Sequence, residues 1–170
     1  MGKTKTPKKP VEIPVIGDVD DWESEAIKSL LEVPPRGECT FYIDSAGGSV
    51  YGALAVLTLL RHRQLEGTAI VLGECSSAAV LLFAACRHRF VTPYSTLLFH
   101  RMRWQSDKRV GSLEAAVWAR HFEEMERELD KLQSRLFGKG EEQVRAWTEG
   151  GYYVTGPQLV AAGLAELIDI

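Results

Sequence analysis

Cysteine is scarce in this chain of 170 residues. The three cysteines are an odd number and show neither C-x-x-C nor cysteine–histidine ligand spacing, so we expect buried, reduced thiols and no metal site. Long apolar runs are also missing, because the longest, at residues 78–86, is about half of what a membrane-spanning helix needs. Twenty basic residues against 23 acidic ones give a net charge of −3, which does not provide the basic surface of a dedicated nucleic-acid binder. These absences exclude disulfide-stapled, integral membrane and dedicated nucleic-acid-binding proteins.

What is present is the composition of an ordinary globular domain, with 45% hydrophobic and 25% charged residues. A chain of this length buries roughly 70% of its unfolded surface, which is enough for a core of its own. Residues 1–12 contain four lysines among threonine and proline and are predicted to be a flexible basic leader, and residues 13–170 a single domain. The leader has neither the apolar segment of a secretory signal nor the pattern of a transit peptide, so we expect a cytoplasmic protein.

Short β-rich runs alternate with stretches of helical spacing along the first hundred residues. The predicted strands are 11–16, 39–43, 68–72, 90–92 and 96–99, and the predicted helices between them are 22–31, 50–63 and 78–86. Repeated strand–helix–strand units with short links predict an α/β fold with a mainly parallel sheet.

A long helix is predicted over residues 112–137. Its large apolar residues recur at steps of three and four, which is a heptad pattern. They are Trp118, Phe122, Met125, Leu129, Leu132 and Leu136. The pattern fits a helix that projects toward a partner and equally one that lies along its own sheet. A helix at 141–147, a strand at 152–154 and a helix at 157–162 complete the chain.

Three positions at predicted strand ends could carry chemistry. Ser77 follows a strand and opens a buried helix, where a hydroxyl lies beside free N–H groups at the positive end of the helix dipole. A helix-capping role is the simpler interpretation of that serine taken alone. The Gly47-Gly48 turn could aim backbone N–H groups at an anion, although nucleotide-binding glycine motifs are missing. His100 ends the strand 96–99, where a general base could stand.

Taken together, four segments of the sequence resemble the proteolytic subunit of the ATP-dependent Clp protease. They are DSAGGSV at 44–50, GECSSAA at 73–79, PYSTLLFH at 93–100 and GPQLVAAGL at 156–164. The resemblance covers residues 16–170. It implies a spiral of βαβ units of the crotonase-like superfamily, with the long helix as a projecting handle through which heptameric rings stack in pairs. It also implies a serine-type endopeptidase that needs no cofactor. Such an enzyme cleaves peptides or unfolded proteins inside the chamber that the stacked rings enclose.

By this resemblance, the nucleophile is Ser77 and the general base is His100. The oxyanion hole is formed by the backbone N–H groups of Gly48 and Ala78. A Ser–His pair with two fixed N–H donors has the groups that acyl transfer requires. The assignment by resemblance agrees with the predicted placement of these residues at strand ends.

The chain departs from the family at the third triad position, where Gly151 stands in place of aspartate. Loss of that carboxylate costs about 10⁴ in turnover in a well-studied triad, so weakened activity is expected. Glu149 is a possible substitute if its loop folds back. The short, polar N-terminal segment also argues against docking of an ATP-dependent unfoldase. An unfoldase is therefore kept only as an alternative partner, beside the homo-oligomeric ring.

Two other functions stay open. A non-catalytic or regulatory subunit of a Clp-like ring would need the fold without the chemistry. An acyl-CoA-processing enzyme of the crotonase type is less favoured, because the chain is short for a CoA pocket and carries the Ser/His pair.

Overall fold

Strands and helices alternate along most of the computed structural model, which describes residues 9–106 and 109–170. Its strands are β1 Val11–Asp18, β2 Glu38–Gly47, β3 Glu66–Ser76, β4 His88–Val91, β5 Thr96–Phe99, β6 Tyr152–Thr155 and β7 Glu166–Leu167. Its helices are α1 Val19–Glu32, α2 Val50–His62, α3 Ala79–Ala85, α4 Ser112–Phe137, α5 Glu141–Gly150 and α6 Gly156–Ala161. Each predicted segment is therefore present.

The strands form one mainly parallel sheet, as predicted. Its order is β1-β2-β3-β4-β7, with every neighbouring pair parallel. The long strand β3 pairs with β4 through its first half and with β5 through its last residues, again in parallel. Among the strands of the described residues, β5 and β6 are the one antiparallel pair. Because β3 is shared in this way, its carboxyl end lies between those of β2 and β5.

Local signals in the sequence fix where the first helix begins and what it covers. Asp18 caps α1 in a reciprocal capping box with Asp21, which satisfies N–H groups of the first turn. The helix then buries Trp22, Ala26 and Leu30, a helical face, against the sheet. Helix α3 differs, because all seven of its residues are buried. It is the central element of the core and lies directly behind the end of β3.

The two halves of α4 have different surroundings. Its C-terminal half packs against α3 and α5 and buries Leu129 and Phe137. Its first turns bury no residue, and Leu113 and Val117 there are 80% and 57% exposed. Met125, Leu132 and Leu136 of the heptad pattern also pack against the core, so the pattern itself faces its own chain, and only the first turns of α4 project with exposed apolar residues.

The predicted basic leader ends inside the first strand. Strand β1 begins at Val11, so the last two residues of the predicted leader belong to the sheet, and residues 1–8 lie outside the described residues.

All three cysteines are buried, as predicted, and burial raises the pKa of the Cys39 thiol to about 12. Within the described ranges, no helix is long and apolar enough to cross a membrane.

Candidate active site at the carboxyl ends of three strands

Three parallel strands end side by side at one edge of the sheet. Strands β2, β3 and β5 end at Gly47, Ser76 and Phe99, and the residues that follow them are Gly48, Ser77 and His100. This edge is where open parallel sheets place their ligands. A cleft of about 300 Å³ lies there, and all three of these residues line it together with Ala78. The structure therefore brings the four predicted site residues together.

Ser77 has an unusual backbone conformation. Its φ is 55°, in the left-handed region that a non-glycine residue adopts only at some energetic cost. Its N–H is held by the carbonyl oxygen of Leu98 at 2.9 Å, which ties the turn to β5. The N-cap residue of α3 is Ala78, and it makes no side-chain hydrogen bond to the helix. The simpler interpretation of Ser77 as a capping residue is therefore wrong, and its partly exposed hydroxyl is left to face the cleft.

The neighbouring serine is placed quite differently. Ser76 is 1% exposed, and its hydroxyl donates to Glu74 Oε1 at 2.6 Å. Cys75 is also buried, and its pKa is raised well above the ordinary value by burial, with smaller contributions from Cys86 and Glu74. A buried, protonated thiol is a poor nucleophile. Of these three adjacent side chains, only Ser77 is presented to the cleft.

The glycine turn at the end of β2 packs directly against Ser77. A Cβ atom on Gly47 would stand 2.6 Å from Ser77 Cβ and 3.1 Å from the backbone nitrogen of Ala78, so only glycine fits. Gly47 and Gly48 have φ values of +102° and +129°, which also require glycine. Among the described residues, the N–H groups of Gly48 and Ala78 have no hydrogen-bond partner. These two donors, one on each turn, thus belong to residues that line the same cleft as Ser77.

The hydrogen bond of His100 fixes which ring nitrogen carries the proton. Its Nδ1 lies 2.6 Å from the carbonyl oxygen of Arg101. Because a carbonyl oxygen can only accept, Nδ1 must be the donor, and in the neutral ring Nε2 then carries the free lone pair. That is the tautomer of a general base. Within the described part of the chain no hydrogen bond joins Ser77 and His100, although both line one cleft.

The third triad position carries no side chain. Phe99 pairs with Tyr152 across β5 and β6, and the same antiparallel register, carried one residue further, sets Gly151 opposite His100. Gly151 ends α5 with a φ of 64°, and a Cβ atom there would meet nothing within 4 Å. The proposed substitute Glu149 is 60% exposed and lies 3.4 Å from the Arg101 guanidinium.

Apolar and aromatic side chains form the outer wall of the cleft. Leu81, Met102, Phe122 and Leu129 line it. Behind Phe122, the ring of Trp104 stacks on that phenylalanine and meets the edge of Trp118, with a centroid distance of 5.3 Å to the latter. The residues that follow His100 are in this way held against α4.

Sequence reasoning missed two acidic residues on α4 that face the segment after His100. Glu126 Oε1 accepts the N–H of Met102 at 2.9 Å, and Asp130 binds the Arg101 guanidinium at 3.0 and 3.1 Å. The available signal was their spacing of four residues, which puts both carboxylates on one helical face beside the apolar seam. Nothing in the sequence indicates which segment that face meets.

The family model and the related proteins that match this chain all carry the name Clp protease. A sequence model of the family described as Clp protease matches residues 11–169. The ATP-dependent Clp protease proteolytic subunit of Porphyromonas gingivalis is 28% identical over 156 residues, which cover 88% of this chain and 69% of that protein. Proteolytic subunit 1 of Corynebacterium diphtheriae and that of Corynebacterium glutamicum are each 29% identical over 157 residues, with 88% of this chain and 74% of each relative covered.

Proposed function

The chain belongs to the Clp protease family, as its motifs predicted, and from that premise we propose that it is a serine endopeptidase built on Ser77 and His100. The observation that carries the proposal is the convergence on one cleft of Ser77, His100 and two N–H groups that have no partner among the described residues. A nucleophile, a base in the required tautomer and an oxyanion site are the three parts that acyl transfer needs.

The proposed reaction begins with attack of Ser77 Oγ on the carbonyl carbon of a peptide bond. His100 Nε2 takes the hydroxyl proton, and the N–H groups of Gly48 and Ala78 bind the oxyanion that develops. When the C–N bond breaks, the proton on Nε2 passes to the leaving amine and an acyl ester remains on Ser77. A water molecule, deprotonated by the same nitrogen, then releases the carboxylic acid and restores the hydroxyl.

The substrate proposed is a peptide or an unfolded protein. The apolar wall of the cleft gives an unfolded chain a surface on which to bury a side chain next to Ser77. We further propose that the sites lie inside a chamber of heptameric rings stacked in pairs, assembled partly through α4. An ATP-dependent unfoldase is the partner that the relatives' names suggest, although the short, polar N-terminal segment argues against its docking.

Turnover is expected to be slow, because no carboxylate contacts His100 among the described residues. The Arg101 carbonyl orients the ring but is neutral, whereas an aspartate would also stabilise the imidazolium that forms during attack. Gly151 is for the same reason the observation that favours a second candidate function, a non-catalytic or regulatory ring subunit.

A fluorophosphonate probe separates these two functions. The probe forms a phosphonate ester with an activated serine and releases fluoride, so we expect mass spectrometry to find the label on Ser77 alone. Ser76→Ala is the matched control, since it removes the adjacent hydroxyl and should leave labelling intact, whereas Ser77→Ala should abolish it. A label that survives Ser77→Ala would contradict the assignment, and a folded wild type that takes up no label would favour the non-catalytic subunit.

A further inference from the structure

The peptide unit between Arg101 and Met102 lies between His100 and α4. Its carbonyl oxygen accepts the Nδ1 proton of His100 at 2.6 Å, and its N–H donates to Glu126 Oε1 at 2.9 Å. Because the peptide group is planar and trans, these two bonds point in opposite directions from one rigid unit. A carboxylate on the N–H side polarises the amide and makes its carbonyl oxygen a stronger acceptor.

The same segment has a second anchor one helical turn further along α4. Asp130 lies four residues after Glu126, and its side chain is only 5% exposed. Its two oxygens accept from Nη1 of Arg101 at 3.1 and 3.0 Å. Partial burial by itself lowers the pKa of Arg101, but Asp130, Glu126 and Glu149 outweigh it and leave that pKa raised, so the guanidinium stays charged.

We propose that Glu126, acting through the Arg101–Met102 peptide, replaces the aspartate that this chain lacks at position 151. Its charge reaches the imidazole through the polarised amide and holds the ring in the tautomer with Nε2 free. Asp130 fixes the same peptide from the side of the arginine. Both are positioning residues, since neither touches the reacting atoms, and their role in turnover rests on the proposed peptidase function.

Other charged groups near His100 are less suited to this role. Arg101 and Arg103 follow it on the same segment, and Arg103 lines the cleft. From α5, Arg145 lies 3.8 Å from Asp130, and Glu149 is a mostly exposed partner of Arg101. Water screens an exposed ion pair, and at 3.4 Å this contact is long for a charged hydrogen bond. Glu126 is the carboxylate that contacts the peptide unit bound to the imidazole.

The test compares Glu126→Gln with Glu128→Gln. The first change keeps an acceptor oxygen for the Met102 N–H and removes the charge. The second removes a charge from the same helix, where Glu128 forms a surface ion pair with Lys131. On a short fluorogenic peptide we expect kcat of Glu126→Gln to fall about tenfold with KM unchanged, the lower end of the effect of removing a group that orients a functional side chain. Glu128→Gln should behave as the wild type.

The pH dependence of kcat/KM distinguishes an electrostatic role of Glu126 from a purely structural one, because a structural role would leave the pH profile unchanged. Without the Glu126 charge the protonated imidazole is less favoured, so the acidic limb of kcat/KM should move to lower pH. Glu126→Asp, which keeps the charge, should restore part of kcat and return the limb toward its original position. Equal kcat and an unmoved limb in Glu126→Gln would overturn the proposal, as would a loss of kcat with no movement of the limb. Asp130→Asn provides a second arm if Glu126→Gln does not fold, and wild-type kcat in that variant would likewise count against the proposal.

A histidine measurement separates this inference from the proposed function. If the wild type hydrolyses no peptide and takes up no probe, the peptidase proposal fails, but the contact with His100 can still be tested by NMR. In protein labelled with ¹⁵N-histidine and assigned with His100→Gln, the titration midpoint of His100 should fall in Glu126→Gln and stay in place in Glu128→Gln. An unchanged midpoint in both would overturn the inference by itself.

Discussion

At the scale of single residues, the most telling feature is the left-handed conformation of Ser77. The strain is imposed by its surroundings, because its N–H is held by Leu98 and its Cβ lies over the Gly47 turn. Strained residues of this kind cluster at functional sites, where the strain aims a side chain. The conformation of Ser77 therefore costs the fold some stability and directs a half-buried residue to the cleft.

Two substitutions of Ser77 should separate strain from function. Glycine adopts this conformation freely, so Ser77→Gly should be more stable than Ser77→Ala by about 1 kcal/mol, while both lose the nucleophile. Thermal unfolding at one fixed protein concentration measures the difference, because assembly also shifts the midpoint. A glycine variant that melts below the alanine variant would show that Ser77 is not strained.

The sequence predicted Ser77 and His100 as candidates but not the partners of His100. Ser77 follows a recognisable strand and precedes an apolar helix, so local pattern made it a candidate, and the resemblance to a known family made it the predicted nucleophile. Glu126 and Asp130 come 25 or more residues after Arg101, and their contact depends on the angle at which α4 crosses the segment after β5. Packing of that kind is set by the whole core and leaves no local signal.

At the scale of elements, the antiparallel pairing of β5 and β6 makes position 151 a site for restoring a carboxylate. Gly151→Asp should raise kcat on a small peptide by tenfold or more, because a charge opposite His100 would stabilise the imidazolium directly. The space is open, and aspartate tolerates a positive φ better than most residues, so we expect a cost in stability of only about 1 kcal/mol.

Gly150→Asp is the matched control for this gain of activity. It adds the same charge one residue earlier, at the last position of α5, where a Cβ atom also meets nothing within 4 Å. Steady-state kinetics of the two variants, with the fold checked by circular dichroism, decide between the effects. An equal rise in both would mean that net charge alone is responsible, and no rise in Gly151→Asp would contradict the role assigned to the missing carboxylate.

Element boundaries show which part of the fold local sequence can specify. Helix α4 has the predicted limits, because heptad spacing and the glycine at 138 mark it clearly. Strands β2 and β3 instead run four residues beyond their predicted carboxyl ends, through DSAG to Gly47 and through GECS to Ser76. These residues are extended because they pair with neighbouring strands: Ser45 pairs with Cys75, Gly47 pairs with Asp18 of β1, and the end of β3 pairs with β5. Pairing across a sheet depends on the neighbouring strand, which no local pattern reveals.

At the scale of the whole molecule, the apolar residues exposed on the projecting end of α4 predict assembly. Leu113 and Val117 lie one helical turn apart and are among the most exposed large apolar side chains of the described residues. Light scattering should give a mass several times the 18.9 kDa of one chain. The double variant Leu113→Glu, Val117→Glu should lower that mass while the chain stays folded.

Ala119→Glu provides the control for assembly. Residue 119 lies two positions after Val117, on roughly the opposite side of α4, so it adds charge without entering the same surface. Leu129 is unsuitable for this purpose, because it is buried in its own chain and a charge there would test folding. A wild type that scatters as a single chain at micromolar concentration would contradict the predicted assembly.

The two indole rings packed beside the cleft give the protein an optical signature. Trp104 and Trp118 lie 5.3 Å apart at an interplanar angle of 85°, close enough for their excited states to couple. One ring belongs to the segment that also carries the Arg101 carbonyl, and the other belongs to the N-terminal half of α4. Circular dichroism in the indole absorption bands consequently reports, without added label or substrate, whether that segment is seated on its helix.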